Sequence, residues 1–351
     1  MEKSYAKLKK ISEKNGTIEF QAEIPLEIIN QKSEEALAEA AQDFEMPGFR
    51  KGKVPKEIVR QNISEIRLLD SAADSALYDA VGEIVADEKL ETLGSPELTV
   101  TKLEPGTPVE FKIKLALLPE INLPDYRKIG REISAKEKPA EATEKEVDEA
   151  LQQVAKMYAG QTKEEEKSPE INDEFAKKVG PFKTLDELKA EIKKQLSEEK
   201  GIAQREEKRD EMIAEIIKQS GLKIPELLVD QEVHHLSHDR EDELQKLGIT
   251  YEEYLKQLGK TAEEVEKNDR KLVEDQLKTS IIFKEIREKE GIRASNEEMN
   301  EEVSHLKFYY PDRTEESLRR TAEAMILQRK LFSILEGEDK STPEPAAKEE
   351  A

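Results

Sequence analysis

The residues of this chain best suited to chemistry lie in one short loop, Pro47-Gly-Phe-Arg-Lys-Gly-Lys-Val-Pro55. Phe49 stands between Gly48 and Arg50 in a stretch bounded by two prolines, so it cannot easily reach a domain core and costs hydration unless it docks elsewhere. Between Arg50 and Arg60 five basic residues (Arg50, Lys51, Lys53, Lys56, Arg60) meet one acid, Glu57, a local charge of +4 in a chain of formal charge -22. An aromatic beside cations suits a contact surface that is part protein and part RNA phosphate. A plainer reading stays open: an ordinary loop whose Phe49 tucks back onto its own domain.

Other chemistries find less support. Gly48 to Lys53 superficially resembles a phosphate-binding loop, but three residues instead of four separate its glycines, and Val54 stands where Ser or Thr should hold magnesium. There are no cysteines, which excludes disulfides, thiolate catalysis and cysteine-based metal sites. His234 and His238 are four apart on a predicted helix, near His235 and Asp239, but no remote third ligand is evident and a solvated helix face is the plainer account. With 79 acidic side chains, carboxylate pairs at catalytic-looking spacings are expected by chance. No catalytic residue, metal or cofactor is assigned.

The composition limits what can position the loop. At 351 residues the chain is long enough for about two domains of ~150 residues. Charged residues make up 39% and aromatics 5%, with no tryptophan, which predicts slender, helix-rich architecture with much exposed surface. The acidic balance repels DNA and anionic membrane, so any RNA contact must come from a local patch. Met1 to Lys10 is basic without an apolar core, and no apolar run approaches ~18 residues. The expectation is an unexported, cytoplasmic protein with no membrane partner.

Along the chain, residues 5–24 alternate around Asn15-Gly16 as a β-hairpin. Leu26 to Phe44 has helical spacing (Leu26, Ile29, Ala36, Leu37, Ala40, Ala41) and runs into the loop. A short helix should follow Pro55. A longer one should cover Ser64 to Glu88 with Ile66, Leu69, Ala73, Ala76, Leu77, Ala80 and Ile84 on one face. Strands near 98–103 and 109–118 flank Glu104-Pro-Gly106. Residues 1–118 thus read as an α+β domain, a four-stranded antiparallel sheet with helices. Residues 119–142 read as a proline-punctuated linker with one strand, Lys128 to Ala135.

An extended all-α domain with helical arms is predicted for 143–336. Ser/Thr-x-x-Glu start signals recur at Thr143/Glu146, Thr184/Glu187, Thr250/Glu253, Thr261/Glu264 and Ser295/Glu298. Gly221, Gly248, Gly259 and Gly291 mark stops, and Pro225 and Pro311 mark boundaries. A bend or a solvated arm is expected where the 184–220 stretch turns polar around Gly201. Residues 337–351 read as a disordered tail.

Gly48-Phe-Arg-Lys-Gly-Lys-Val-Pro55, after a helix in an N-terminal α+β domain, resembles the ribosome-docking signature of the trigger factor family. Pro119-Glu-Ile-Asn-Leu123 resembles the end of that family's N-domain, and Pro169 to Phe175 with Leu185 to Lys193 the entry to its helical C-domain. The resemblance implies a ribosome-binding domain over 1–118, with Phe49, Arg50 and Lys51, flanked by Gly48 and Lys53, contacting a tunnel-exit protein and nearby RNA. It further implies an ATP-independent chaperone for unfolded or nascent polypeptides, and leaves a weak homodimer of the free protein open. The usual member carries a domain-sized isomerase of the FKBP type where this chain has only Ala159 to Ser168. Ten residues cannot form a prolyl-binding barrel, so no isomerase activity is expected.

Apolar residues beyond what slender helices need, among them Leu227, Tyr251, Tyr254, Leu255, Phe283, Phe308, Tyr309, Tyr310 and Met325, are either core or the lining of an open cradle for clients. Two rival functions remain: a helical scaffold for one folded partner, and a prolyl isomerase like full-length family members.

Overall fold

A computed structural model describes residues 3–136, 140–161 and 170–338. Its strands are β1 (Ala6–Lys14), β2 (Thr17–Ile24), β3 (Thr92–Lys102) and β4 (Val109–Leu117), paired antiparallel in the order β1-β2-β4-β3. Asn15 and Gly16 both take positive φ, as the tight turn between β1 and β2 demands. β2 alternates strictly, and β4 does so up to Leu115. Ile18, Phe20, Ala22 and Ile24 share one buried face with Val109, Phe111, Ile113 and Leu115, in a register that sets Phe20 opposite Ile113.

Helices α1 (Leu26–Asp43) and α3 (Glu65–Asp87) cover that face, with the short α2 (Lys56–Asn62) between them in sequence. Leu69, Ala73, Ala76, Leu77, Ala80 and Ile84 of α3 join the sheet core. Ile66 does not: it is 65% exposed in the first turn, before Leu69 brings the helix onto the sheet. β3 starts earlier than its sequence indicates. Gly94 and Pro96 conceal its first half, and the register slips between Leu93 and Glu97 to accommodate them.

Packing divides the chain into two units, Met1–Ile121 with Leu222–Ile281, and Asn122–Gly221 with Ile282–Ala351. In the first, α8 (Glu226–Leu247) returns to the sheet. Leu227 and Leu228 bury against Ala116, with Leu93 and Leu277 alongside, and Gln231 Nε2 donates to the Ser95 carbonyl at 2.8 Å. Gly94 takes φ +68°, where glycine is favoured, and Leu228 Cδ1 packs within 2.7 Å of where a β-carbon would stand. Helix α9 (Tyr251–Leu258) and the unit's share of α10 (Ala262–Glu290) pack beside α8. Arg270 pairs with Asp230, and Arg240 with Asp269 at 2.8 Å.

The second unit holds α4 (Tyr126–Ser134), α5 (Glu144–Gln161), α6 (Asp173–Val179), α7 (Leu185–Ser220), the end of α10, α11 (Asn296–Tyr309) and α12 (Glu315–Leu335). The strand expected over 128–135 is the helix α4. Asp125 caps it by accepting from the Lys128 amide, and Tyr126, Ile129, Gly130 and Ile133 bury at helical spacing, a stripe that the flanking prolines obscured. Helix α7 runs 36 residues without interruption through Gly201, and residues 198–211 are exposed or half-buried. Val147, Leu151, Ala155, Phe175, Leu188 and Ile192 form the core of α5, α6 and α7. The expected isomerase-replacing segment lies outside the described residues from 162 on, as does the expected tail from 339 on.

The helix signals act as read. Thr143/Glu146, Thr250/Glu253, Thr261/Glu264 and Ser295/Glu298 close reciprocal side-chain to amide bonds. Thr184 caps α7, but Glu187 reaches the Lys183 amide instead. Gly221, Gly248, Gly259 and Gly291 are all left-handed. Arg127 and the Tyr126 hydroxyl both donate to Glu290, at 2.6 Å each, joining α4 to the end of α10. The arginine holds the Glu290 carboxyl below its ordinary range.

Two consequences can be measured. A β-carbon at Gly130 would stand 1.9 Å from the Leu335 carbonyl oxygen, so α4 and the end of α12 meet backbone to backbone. Gly130→Ala is expected to lower unfolding stability by about 1–3 kcal/mol, as overpacking does; an unchanged urea midpoint would refute the close approach. The second concerns acid. The Lys330 ammonium, and after it the Ser295 amide and hydroxyl, lower the Glu298 carboxyl from 4.5 to about 2. A depressed carboxyl stabilises above its unfolded value and loses that contribution as pH falls through the folded one. The melting temperature should therefore drop from about pH 4.5 toward 2, and Glu298→Gln should flatten this acid limb. An identical limb in the variant would exclude Glu298 as a cause.

Candidate docking tip and exposed apolar sites

The loop after α1 is built on its own small core. Leu37, Val54 and Val59 are buried, with Ala41, Phe44, Met46, Ile58, Ile63 and Leu68 packed around them, separately from the sheet core. Two turns follow in succession. Phe49 N–H donates to the Met46 carbonyl at 3.0 Å, with Pro47 and Gly48 (φ +94°) in the central positions, the Pro-Gly order of a type II turn. Lys53 N–H donates to the Arg50 carbonyl at 2.9 Å, with Gly52 (φ +73°) at the matching place.

Gly52 also ties the loop to its helix. Its N–H donates to the Phe44 carbonyl at 3.3 Å, and a β-carbon there would approach the Gln42 carbonyl to 2.5 Å. The result projects Phe49 outward, 42% exposed, while Val54, just past the second turn, is buried. Phe49 does not tuck back onto its domain. The bonded amides of Phe49, Gly52 and Lys53 also answer the phosphate-loop reading, because a phosphate cradle needs them free.

Charge at the tip is not what a sequence window gives. Lys51 Nζ lies 3.2 Å from Asp43 and 3.9 Å from Glu45, and Arg60 pairs with Glu34. Arg50, Lys53 and Lys56 are exposed and make no ion pair among the described residues.

The nine apolar candidates divide between the units. In the first, Leu227 is buried against the sheet, 9% exposed, and is packing material. Tyr251 and Tyr254 stack at 6.1 Å on α9, with the Arg240 guanidinium 5.9 Å from the Tyr254 ring and Leu255 half-buried beside them. In the second, Phe283 is half-buried and meets Phe332 edge-on at 5.8 Å. Phe308, Tyr309, Tyr310 and Met325 are exposed. Helix α11 buries Leu306 with Met299 and Val303 nearby, and Phe308 and Tyr309 fall off that stripe. Tyr309 packs edge-on against Phe308 and His305, and Arg313 lies over Tyr310.

Spacing arguments passed over other exposed apolar side chains: Tyr78, Met157, Ile202 and Leu247. The available signal was that each interrupts the polar face of its helix. His238 stands 3.7 Å from Asp242, and no group of three or more metal-ligating side chains occurs among the described residues. No helix among them is long and apolar enough to cross a membrane.

Comparison with known proteins places these features. Residues 6–154 match the family model for bacterial trigger factor protein, and residues 184–334 the model for its C-terminus. Trigger factor from Carboxydothermus hydrogenoformans is 25% identical over 413 aligned positions, covering 91% of this chain and 96% of that one. Trigger factor from Caldicellulosiruptor bescii is 26% identical over 389 positions, covering 85% and 87%. A solved structure described as "Promiscuous Substrate Recognition in Folding and Assembly Activities of the Trigger Factor Chaperone" has TM-score 0.53 at 17% identity, covering 95% of this chain and all of that one, a likeness of fold. Two family models that together span the sheet, the loop and the helices therefore show that this chain belongs to the bacterial trigger factor family.

Proposed function

We propose that the protein is a chaperone that docks at the ribosomal tunnel exit through its 47–55 loop and shields apolar segments of emerging polypeptides without ATP. The tip carries this reading: Phe49 is held out by two glycine turns beside Arg50 and Lys53, exposed cations with no ion pair among the described residues. A rigid exposed aromatic is the kind of anchor that dominates protein interfaces. The cations add a salt-sensitive attraction to RNA phosphate. Gly48, Phe49, Arg50, Lys51 and Lys53 are the docking residues of this proposal, with a tunnel-exit protein and adjacent RNA as their surface.

Clients would meet the apolar side chains that the helices leave uncovered. Tyr251, Tyr254 and Leu255 serve on the first unit, and Phe308, Tyr309, Tyr310 and Met325 on the second, with Leu227 and Phe283 as packing beneath. Burial at ~25 cal/mol per Å² without fixed hydrogen-bond partners favours many sequences weakly. Several weak contacts hold a chain collectively and release it stepwise, so no nucleotide is needed. No isomerase activity is proposed. The family models leave only residues 155–183 between them, and the 413-position alignment exceeds the 351 residues here, so the relative carries residues that this chain lacks.

Replacing Phe49, Arg50 and Lys51 together with alanine should abolish co-sedimentation with ribosomes while leaving the melting temperature near wild type; full co-sedimentation would sink the docking proposal. The unmodified protein should suppress aggregation of several unrelated denatured proteins, whereas protection of a single partner would favour a scaffold. In a protease-coupled proline-peptide assay it should not accelerate isomerisation, and clear catalysis would overturn that part.

A further inference from the structure

We infer that Asp43 and Glu45 are specificity-determining residues of the docking tip: by holding Lys51 they weaken its attraction to RNA phosphate in general, so that binding depends on a surface that also accepts Phe49 and Arg50. This rests on the docking proposal. Lys51 Nζ sits 3.2 Å from Asp43 Oδ1 and 3.9 Å from Glu45 Oε1, because the Gly52 to Phe44 bond folds the loop back against the end of α1. Including Glu34, which pairs with Arg60, the tip's five basic residues face four acidic ones. The +4 of the sequence window is nearly cancelled in space.

The placement of Asp43 has no account in helix stability. It is the last residue of α1, where the helix dipole disfavours a carboxylate, and the last turn carries no basic residue. Asp43, Glu45 and Lys51 are all more than half exposed, so their pairing is weak and Lys51 can exchange partners once Phe49 and Arg50 are seated. The two carboxylates nonetheless repel any polyanion that approaches on charge alone, within the Debye length of about 8 Å at physiological salt.

The full-length protein and its Asp43→Asn/Glu45→Gln variant should be titrated with poly(U) RNA and with ribosomes across a series of KCl concentrations. In the variant, affinity for poly(U) should rise roughly threefold to tenfold at low salt, where charges are screened least. Its salt slope should steepen by about 0.7, one added phosphate contact on a single strand. Ribosome affinity should change less, so the ratio of ribosome to RNA binding falls, and adding Lys51→Ala should cancel the gain. Unchanged poly(U) binding, or an equal gain on both targets, overturns the inference. Persistent ribosome binding by a Phe49→Ala/Arg50→Ala variant would overturn the docking proposal instead, so the two failures are separable.

Discussion

The period-two alternation of β2 and β4 is the constraint on which the first unit depends. Burying Ile18, Phe20, Ala22 and Ile24 against Phe111, Ile113 and Leu115 commits one face of the sheet to α1 and α3. The opposite face is left with little apolar surface, and what it has, at Leu93 and Ala116, seats the start of α8. The sheet thus fixes α1, whose end carries the 47–55 loop, and α8, which leads into the two tyrosines of α9. A one-residue slip in its register would move both attachments to the wrong side.

Among its described residues the second unit has no sheet, and it relies on backbone proximity and caps. Its apolar stripes are narrow, so helices gain contact by coming close, most of all where Gly130 lets α4 meet the Leu335 carbonyl. Charge fills the remaining joints. Arg209 bonds Glu336 at 2.5 Å while its guanidinium lies 4.5 Å from the Phe332 ring, linking α7 to the end of α12. Such an arrangement is economical in large hydrophobic residues, which is how a chain with 39% charged residues can fold and still leave aromatics such as Phe308 exposed.

Both proposed sites arise where a side chain is prevented from joining a core. Phe49 is excluded by two positive-φ glycines that turn the chain before and after it, while Val54 is drawn inward. Phe308 and Tyr309 are excluded by helical phase, because Leu306 and Val303 already occupy the packed side of α11. Exposure follows in each case from geometry that a neighbouring residue stabilises. The hydration cost of the exposed aromatic is borne by the fold.

The sequence alone determined whatever depends on near neighbours. Asn15-Gly16, the Ser/Thr-x-x-Glu boxes and the glycine stops are local hydrogen-bonding and φ requirements, and the loop motif could be read because its prolines and glycines act within nine residues. Tertiary structure decided what depends on distant partners. The α4 stripe has meaning only once Leu335 and Glu290 meet it, and the first half of β3 only once β4 pairs across its bulge and Leu228 packs on Gly94. The same holds for charge at the tip. Counting along the chain gave +4 near Phe49, whereas folding brings Asp43, Glu45 and Glu34 to the cations, since Coulomb interactions follow distance in space and not separation in sequence.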